Sequence, residues 1–326
     1  MSTKRIIYVM ALALLSSAFL SAGMIVNSLN AFNGASWAWT AALRYLLALP
    51  VLFIIVTFRG GLKSLMIVIK KIPLTFIIWG CLGFGIYYAL LSYGVSIAPG
   101  WLVTAAFMTT VLAGIILAPL IYDDHRAQVS KKAVILSLAL VLSLALMQLD
   151  RIKNIENVGL ALASAAMAVV AAFLWPLGNR KMLLKLEKAE IVLDPMQRVL
   201  GMSIGSIPIL LVLSVYGFCS SGMPTTTQLE TSFLAVLLAG VIGSVLFFKA
   251  MQLAGKDYFT LLTVEALQAT SVLFTLFGEM VFKHSAWPGF YGTIGFIFMG
   301  LILAAYGYIS FKANRNLPWR GAFGKV

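Results

Sequence analysis

The sequence predicts an all-α integral membrane protein of ten transmembrane helices, built as two inverted five-helix repeats with both termini on the inner side. Three observations predict this class: an apolar composition, a near-unbroken series of long apolar runs, and a one-sided distribution of basic residues. Of 326 residues, 61% are hydrophobic and only 11% charged, too few polar groups to clothe a soluble domain. Lipid is therefore the solvent for most of the chain, read as a single transmembrane domain over 1–326.

The first apolar run, 6–27, follows Lys4-Arg5 and has the look of a signal peptide. Its apolar stretch continues through Val26, and the repeat described below needs it as a first helix, so it is expected to be retained. Further runs at 38–58, 73–96, 101–122, 133–149, 158–178, 197–218, 232–254, 259–282 and 287–311 complete the set. Each is about twenty residues, enough to cross roughly 30 Å of hydrocarbon. Pro50, Pro119, Pro176 and Pro208 fall within these runs and mark kinks, because neighbouring helices can satisfy the carbonyls a proline frees.

The net charge of +13 does not read as a nucleic-acid footprint, since the basic residues lie between apolar runs and form no aromatic-studded face. With the N-terminus inside, inner segments hold 18 of the 24 Lys and Arg residues and outer segments only three, Arg151, Lys153 and Lys283. That asymmetry predicts N-in, C-in topology. The remaining three, Arg44, Arg198 and Lys249, lie within spans. The basic segment KMLLKLEKAEIVL, with Lys181, Lys185 and Lys188, is read as an orientation-setting linker against the inner leaflet, and 312–326 as a basic inner tail beside lipid.

An offset of 154 residues lays Ala18-Phe19-Leu20 on Ala172-Phe173-Leu174 and Arg44 on Arg198. An offset of 157 lays Gly83 on Gly240 and Trp101 on Tyr258. Two nearly equal offsets indicate a duplicated unit, about 6–149 and 158–311. Because five is odd, the second copy enters from the opposite face, which places a cavity near the midplane between the halves.

The segments SSAFLSAGMIVN, AALRYLLALP, AAFLWPLGNRKM and LFTLFGEMVFKH resemble the drug/metabolite transporter superfamily, in particular its EamA-like ten-helix group and the multidrug-resistance efflux transporters within it. The resemblance spans essentially the whole chain and implies a secondary transporter that exports drugs or metabolites by alternating access across a bacterial cell membrane. The four-helix small multidrug resistance proteins of that superfamily couple protons through a Glu in the first helix. This first helix has none, so their coupling does not carry over.

Glu265 stands out, because a carboxylate roughly 9 Å into a span, at ~1.5 Å per residue, is costly unless paired, hydrated or protonated. Leu261, Glu265, Gln268, Val272 and Thr275 share one helical stripe, and Met108 occupies the repeat position of Glu265. Antiparallel packing across the AGKDY turn brings Lys249 to similar depth, and an ion pair with Glu265 is expected, either neutralising two buried charges and locking the hairpin or giving way when substrate or a proton competes for Glu265. Arg44 and Arg198 are read mainly as anchors that snorkel to headgroups.

Asn27, Trp79, Tyr87, Tyr88, Trp175 and Asn179 offer ring faces and amides to a pocket, although packing is the commoner use of such residues. Gly201-x-x-x-Gly205 reads as a close helix contact, and Glu279, near the outer end of its helix, as hydrated.

A flippase for a lipid or lipid-linked metabolite fits the same architecture and stays open as the alternative. A membrane enzyme is disfavoured, since His125 and His284 fall in connecting segments and there is no HExxH or paired-acid motif. No phosphate-binding loop, ring of repeated charges or filter motif is present either, which disfavours a pump or channel. Cys81 and Cys219 are read as free thiols. The sequence implies no cofactor, no metal site and no nucleic-acid partner; the expected partners are a small-molecule substrate and membrane lipids.

Overall fold

A computed structural model describes residues 3–124, 127, 129–152, 157–254 and 257–315. His125, Lys153 and most of the 312–326 tail lie outside the described residues. The first half comprises α1 (Thr3–Phe32), α2 (Trp37–Leu46), α3 (Ala48–Phe58), α4 (Leu62–Lys71), α5 (Pro73–Gly80), α6 (Tyr87–Ile97), α7 (Gly100–Phe107), α8 (Thr110–Ile121) and α9 (Lys131–Ile152). The second comprises α10 (Val158–Lys188), α11 (Pro195–Gly205), α12 (Ile207–Ser221), α13 (Thr226–Ala235), α14 (Ser244–Ala254), α15 (Tyr258–Leu267), α16 (Ser271–Lys283) and α17 (Phe290–Arg315). Single π-helical segments, Cys81–Ile86 and Val236–Gly243, join α5 to α6 and α13 to α14.

Among the described residues, eight helical stretches are long and apolar enough to cross a membrane. The count rises to nine if α11 and α12, bent by 50° at Ser206, form one span. This is an all-helical multi-pass architecture, and its stretches follow the predicted runs closely; Trp37–Phe58, for example, answers the run at 38–58. The bend between α11 and α12 has a local cause in Pro208, which opens α12 and removes an N–H that would otherwise continue the ladder.

The basic segment after the sixth apolar run differs from its reading as a linker. The basic sequence RKMLLKLEK does not leave the helix, and α10 runs unbroken for 31 residues to Lys188. Its residues are good helix formers with no Gly or Pro after Gly178, and Met182 and Leu186 are buried one turn apart, so packing extends the helix beyond the apolar run. Leu62–Lys71 forms a short amphipathic helix in which Leu65 alone is buried.

Helix starts follow side-chain chemistry. Asp194 accepts from the N–H groups of Met196 and Gln197 while Gln197 Oε1 accepts from the Asp194 N–H, a capping box that opens α11. Asn157, Thr225 and Asp257 cap α10, α13 and α15 in the simpler way.

Each half lends its first helix to the other. α1 packs on the π segment 236–243 and on α14, α15 and α16, while α10 packs on α5, α6, α7 and α8. Small residues and hydroxyls make the first set of contacts: Ser16 Oγ donates to the Gly243 carbonyl at 2.9 Å, and Thr270 Oγ1 donates to Ser17 Oγ at 2.9 Å. Glycines make the second. A Cβ on Gly178 would lie 2.5 Å from the Cα of Gly83, so the two backbones touch there only because both lack side chains.

The Gly201-x-x-x-Gly205 stripe packs on α5, where a Cβ on Gly205 would overlap the Phe76 carbonyl. α9 and α17 pair through Ser137 and Tyr306, whose hydroxyls lie 2.7 Å apart. Leu120, Leu142, Val215 and Leu301 are among the apolar side chains left on the outer surface, as a lipid-facing belt requires.

Candidate functional site

Polar and aromatic side chains converge where α1, α2, α6 and α13 meet. Val26, Asn27, Thr40, Arg44, Tyr88, Ser232 and Ala235 line a tightly packed cleft. Arg44 does not snorkel outward. Its Nη1 donates to the Ala235 carbonyl at 2.9 Å, and its guanidinium carbon lies 5.4 Å from the centre of the Tyr88 ring. Gly23 leaves room for it, since a Cβ there would stand 3.3 Å from Nη1.

Behind Arg44 the aromatic residues form a continuous wall. Tyr45 stacks on Phe84 at 5.0 Å, its hydroxyl lies 3.0 Å from that of Tyr87, and Tyr87 stacks on Phe107. Tyr88 donates its hydroxyl to Asn27 Oδ1 at 3.0 Å, and Asn27 Nδ2 reaches Ser92 Oγ at 3.4 Å. Toward the end of α1, Gln228 Nε2 donates to Thr40 Oγ1 at 2.9 Å and Thr231 Oγ1 to Asn30 Oδ1 at 2.9 Å. Ser232 is the exception in this network, because its buried hydroxyl has no hydrogen-bond partner.

Glu265 has a different partner from the one expected. Arg180 of α10 lies 3.8 Å from Glu265 Oε1 and also donates to the Gly114 carbonyl of α8. Lys249 is exposed and takes no part in this pair. The hairpin spacing carried no information on the face of its helix that Lys249 occupies, and that face is exposed. What brings Arg180 in is the continuation of α10 past the apolar run, and that run's end was its only signal in the sequence.

The Glu265 stripe also divides. A 3-10 turn over Gln268–Thr270 separates α15 from α16, Gln268 Nε2 donates to the Ala13 carbonyl at 3.2 Å, and Val272 packs in a core cluster with Met108.

Glu279, expected to be hydrated, is 1% exposed. It accepts from Ser28 Oγ and from the Gly100 N–H at 3.1 Å, and Lys283 Nζ lies 3.4 Å away. Gly100 permits this approach, as a Cβ there would sit 2.9 Å from Glu279 Oε1. The i,i+4 spacing of Glu279 and Lys283 was the signal available in the sequence.

The remaining candidates lie apart from the cleft. Trp175 meets Phe247 at 6.4 Å, Asn179 donates to the Trp175 carbonyl within its own helix, and Trp79 packs against the main core cluster. Arg198 lies over the Phe248 ring at 5.8 Å.

A bundle of apolar helices holding a cleft with polar side chains and paired charges between its helices has the build of a multi-pass membrane transporter. The chain belongs to the family described as "EmrE: Putative multidrug resistance efflux transporter", whose profile matches residues 7–311.

It is 33% identical over 320 residues to "Uncharacterized protein YjlA" of Bacillus subtilis (strain 168), covering 95% of this chain and 97% of that protein. A Shouchella clausii protein, "Uncharacterized 42.1 kDa protein in intracellular alkaline protease 3'region", is 34% identical over 247 residues, covering 74% of this chain and 64% of its own length. A solved crystal structure superposes with a TM-score of 0.64 at 13% identity, over 93% of this chain and 98% of that one, a likeness of fold alone. This is a multi-pass bacterial membrane protein of a small-molecule efflux family.

Proposed function

We propose that this protein exports a small organic molecule by alternating access, with the substrate held in the Arg44 cleft and proton coupling at Glu265. The observation that carries this reading is the cleft, lined by a guanidinium, an amide and an orphan hydroxyl between the membrane-spanning helices. Buried polar groups are costly in hydrocarbon and persist where they serve a pathway. The cleft is tightly packed, so admitting a substrate requires its helices to move apart.

Ten spans in two inverted halves is the architecture we assign. The nine apolar stretches, with the 22-residue α9 as a further helix, support the count. Three parallels support the duplication. The 157-residue offset carries the π segment 81–86 onto 238–243, inside the second π segment. Arg44 and Arg198 each lie over an aromatic ring of the next span in their own half. α1 and α10, the first helix of each half, both cross to the other half.

The test is efflux from proteoliposomes holding the purified chain, with and without a proton gradient. Substrate movement that Glu265→Gln uncouples from the gradient, without loss of binding, is expected. Unchanged proton dependence in that variant sinks the coupling role. Movement of a fluorescent lipid headgroup, with no soluble compound transported, replaces the exporter by a flippase.

A further inference from the structure

We propose that the molecule taken by this cleft is an organic anion, with an oxyanion at Arg44 and a flat apolar body against the tyrosines; this deepens the exporter reading and rests on it. The argument is charge balance. A guanidinium within a membrane span needs a counter-charge, and among the described residues no carboxylate supplies one to Arg44. Glu265 is taken by Arg180, and Glu279 by Lys283, Ser28 and the Gly100 amide. Asp194 is used in capping α11 and faces Arg59, and Glu230 is exposed.

Arg44 meets only neutral partners among the described residues: the Ala235 carbonyl through Nη1, the Tyr88 ring face and the Tyr45 hydroxyl. The rest of its fork matches the geometry of a carboxylate or phosphate, which it can hold through two parallel hydrogen bonds. The second feature is Ser232, which lines the same cleft with a hydroxyl that has no partner and can donate to a bound oxygen. Tyr88 supplies the aromatic lining of the cleft, held in place by the packed rings of Tyr45 and Tyr87 beside it, and suits a planar body. An organic cation meets the opposite conditions, since the one fixed charge in the cleft repels it and no acid lines the cleft.

The experiment uses the full chain in phosphatidylcholine liposomes, with labelled benzoate, indole-carboxylate and glycerol phosphate as anionic probes and tetraphenylphosphonium as the cation. At least one anion is expected to be transported at a rate at least tenfold above empty liposomes. Arg44→Gln should abolish that flux and Arg44→Lys should retain part of it.

Ser232→Asp provides a second, independent variant, placing a fixed carboxylate in the cleft. It should lower anion flux at least tenfold while the protein remains monodisperse on gel filtration. Two outcomes overturn the anion assignment and leave the exporter standing: transport of tetraphenylphosphonium alone, or anion transport indifferent to both Arg44→Gln and Ser232→Asp. No flux of any probe overturns both. Arg44-dependent movement of fluorescent phosphatidylglycerol, with no soluble anion carried, keeps the anion chemistry, assigns it to a lipid headgroup and overturns the exporter.

Discussion

Arg180 of α10 and Glu265 of α15 lie 3.8 Å apart, and Arg180 also binds the Gly114 carbonyl of α8, so one guanidinium ties three helices together. Both side chains keep partial exposure, at 23% and 30%, which leaves Glu265 within reach of a proton or solute. Such a pair stabilises modestly for its chemistry, because the solvent that reaches it screens the attraction.

Removing either partner should therefore cost about 1–2 kcal/mol rather than the 3–5 of a sealed pair. A double-mutant cycle with Arg180→Gln and Glu265→Gln, read by thermal melting in detergent, measures the coupling. Equal melting of all variants would show that the pair contributes nothing to the fold.

The Glu279 cluster should behave differently, because Glu279 is 1% exposed and serves Ser28, Gly100 and Lys283 at once. Glu279→Ala strands a buried N–H and an ammonium, at a cost of about 3–5 kcal/mol. Glu279→Gln, which retains an acceptor for the Gly100 N–H, should cost less. Comparing the melting temperatures of the two variants checks the order.

Glycine substitutions should sort by backbone clearance. Gly205→Ala drives a Cβ into the Phe76 carbonyl and Gly178→Ala into the Gly83 backbone, where nothing can rotate away. Losses of about 1–3 kcal/mol or more are expected for each. Gly300, within α17, has nothing within 4 Å of its would-be Cβ. Gly300→Ala should leave stability unchanged or raise it by about 0.5–1 kcal/mol through helix propensity. Expression and melting of the three variants decide.

Cysteine labelling tests orientation. Cys219 is exposed near the end of α12, while Cys81 is half-buried with its thiol directed at the Gly205 carbonyl. In intact cells an impermeant maleimide should modify Cys219 and spare Cys81. Labelling of Cys219 only after permeabilisation would reverse the topology.

Local chemistry made much of the fold legible in advance. Apolar runs long enough to cross the membrane set where helices lie, prolines marked the α11–α12 bend, and the glycine pair at 201 and 205 marked a close contact. Those features depend on residues adjacent in the chain. Asn27, Tyr87 and Tyr88 were recognisable as polar and aromatic groups within spans, and the structure does draw them to one place. Which charge met which was not legible. Lys249 was the partner the hairpin spacing offered, whereas Arg180 was counted outside the spans, and only the continuation of α10 to Lys188 brings it to Glu265.

The same division separates Arg44 from its reading as an anchor. The sequence by itself determined that this chain is a membrane-embedded helical bundle, because composition and run length alone decide whether lipid or water is the solvent. Tertiary structure alone decided that Arg44 turns inward, that Ser232 is left without a partner beside it, and that Glu279 is sealed. A side chain's direction depends on which neighbours lie within a few ångströms, and residues far apart in sequence provide those neighbours.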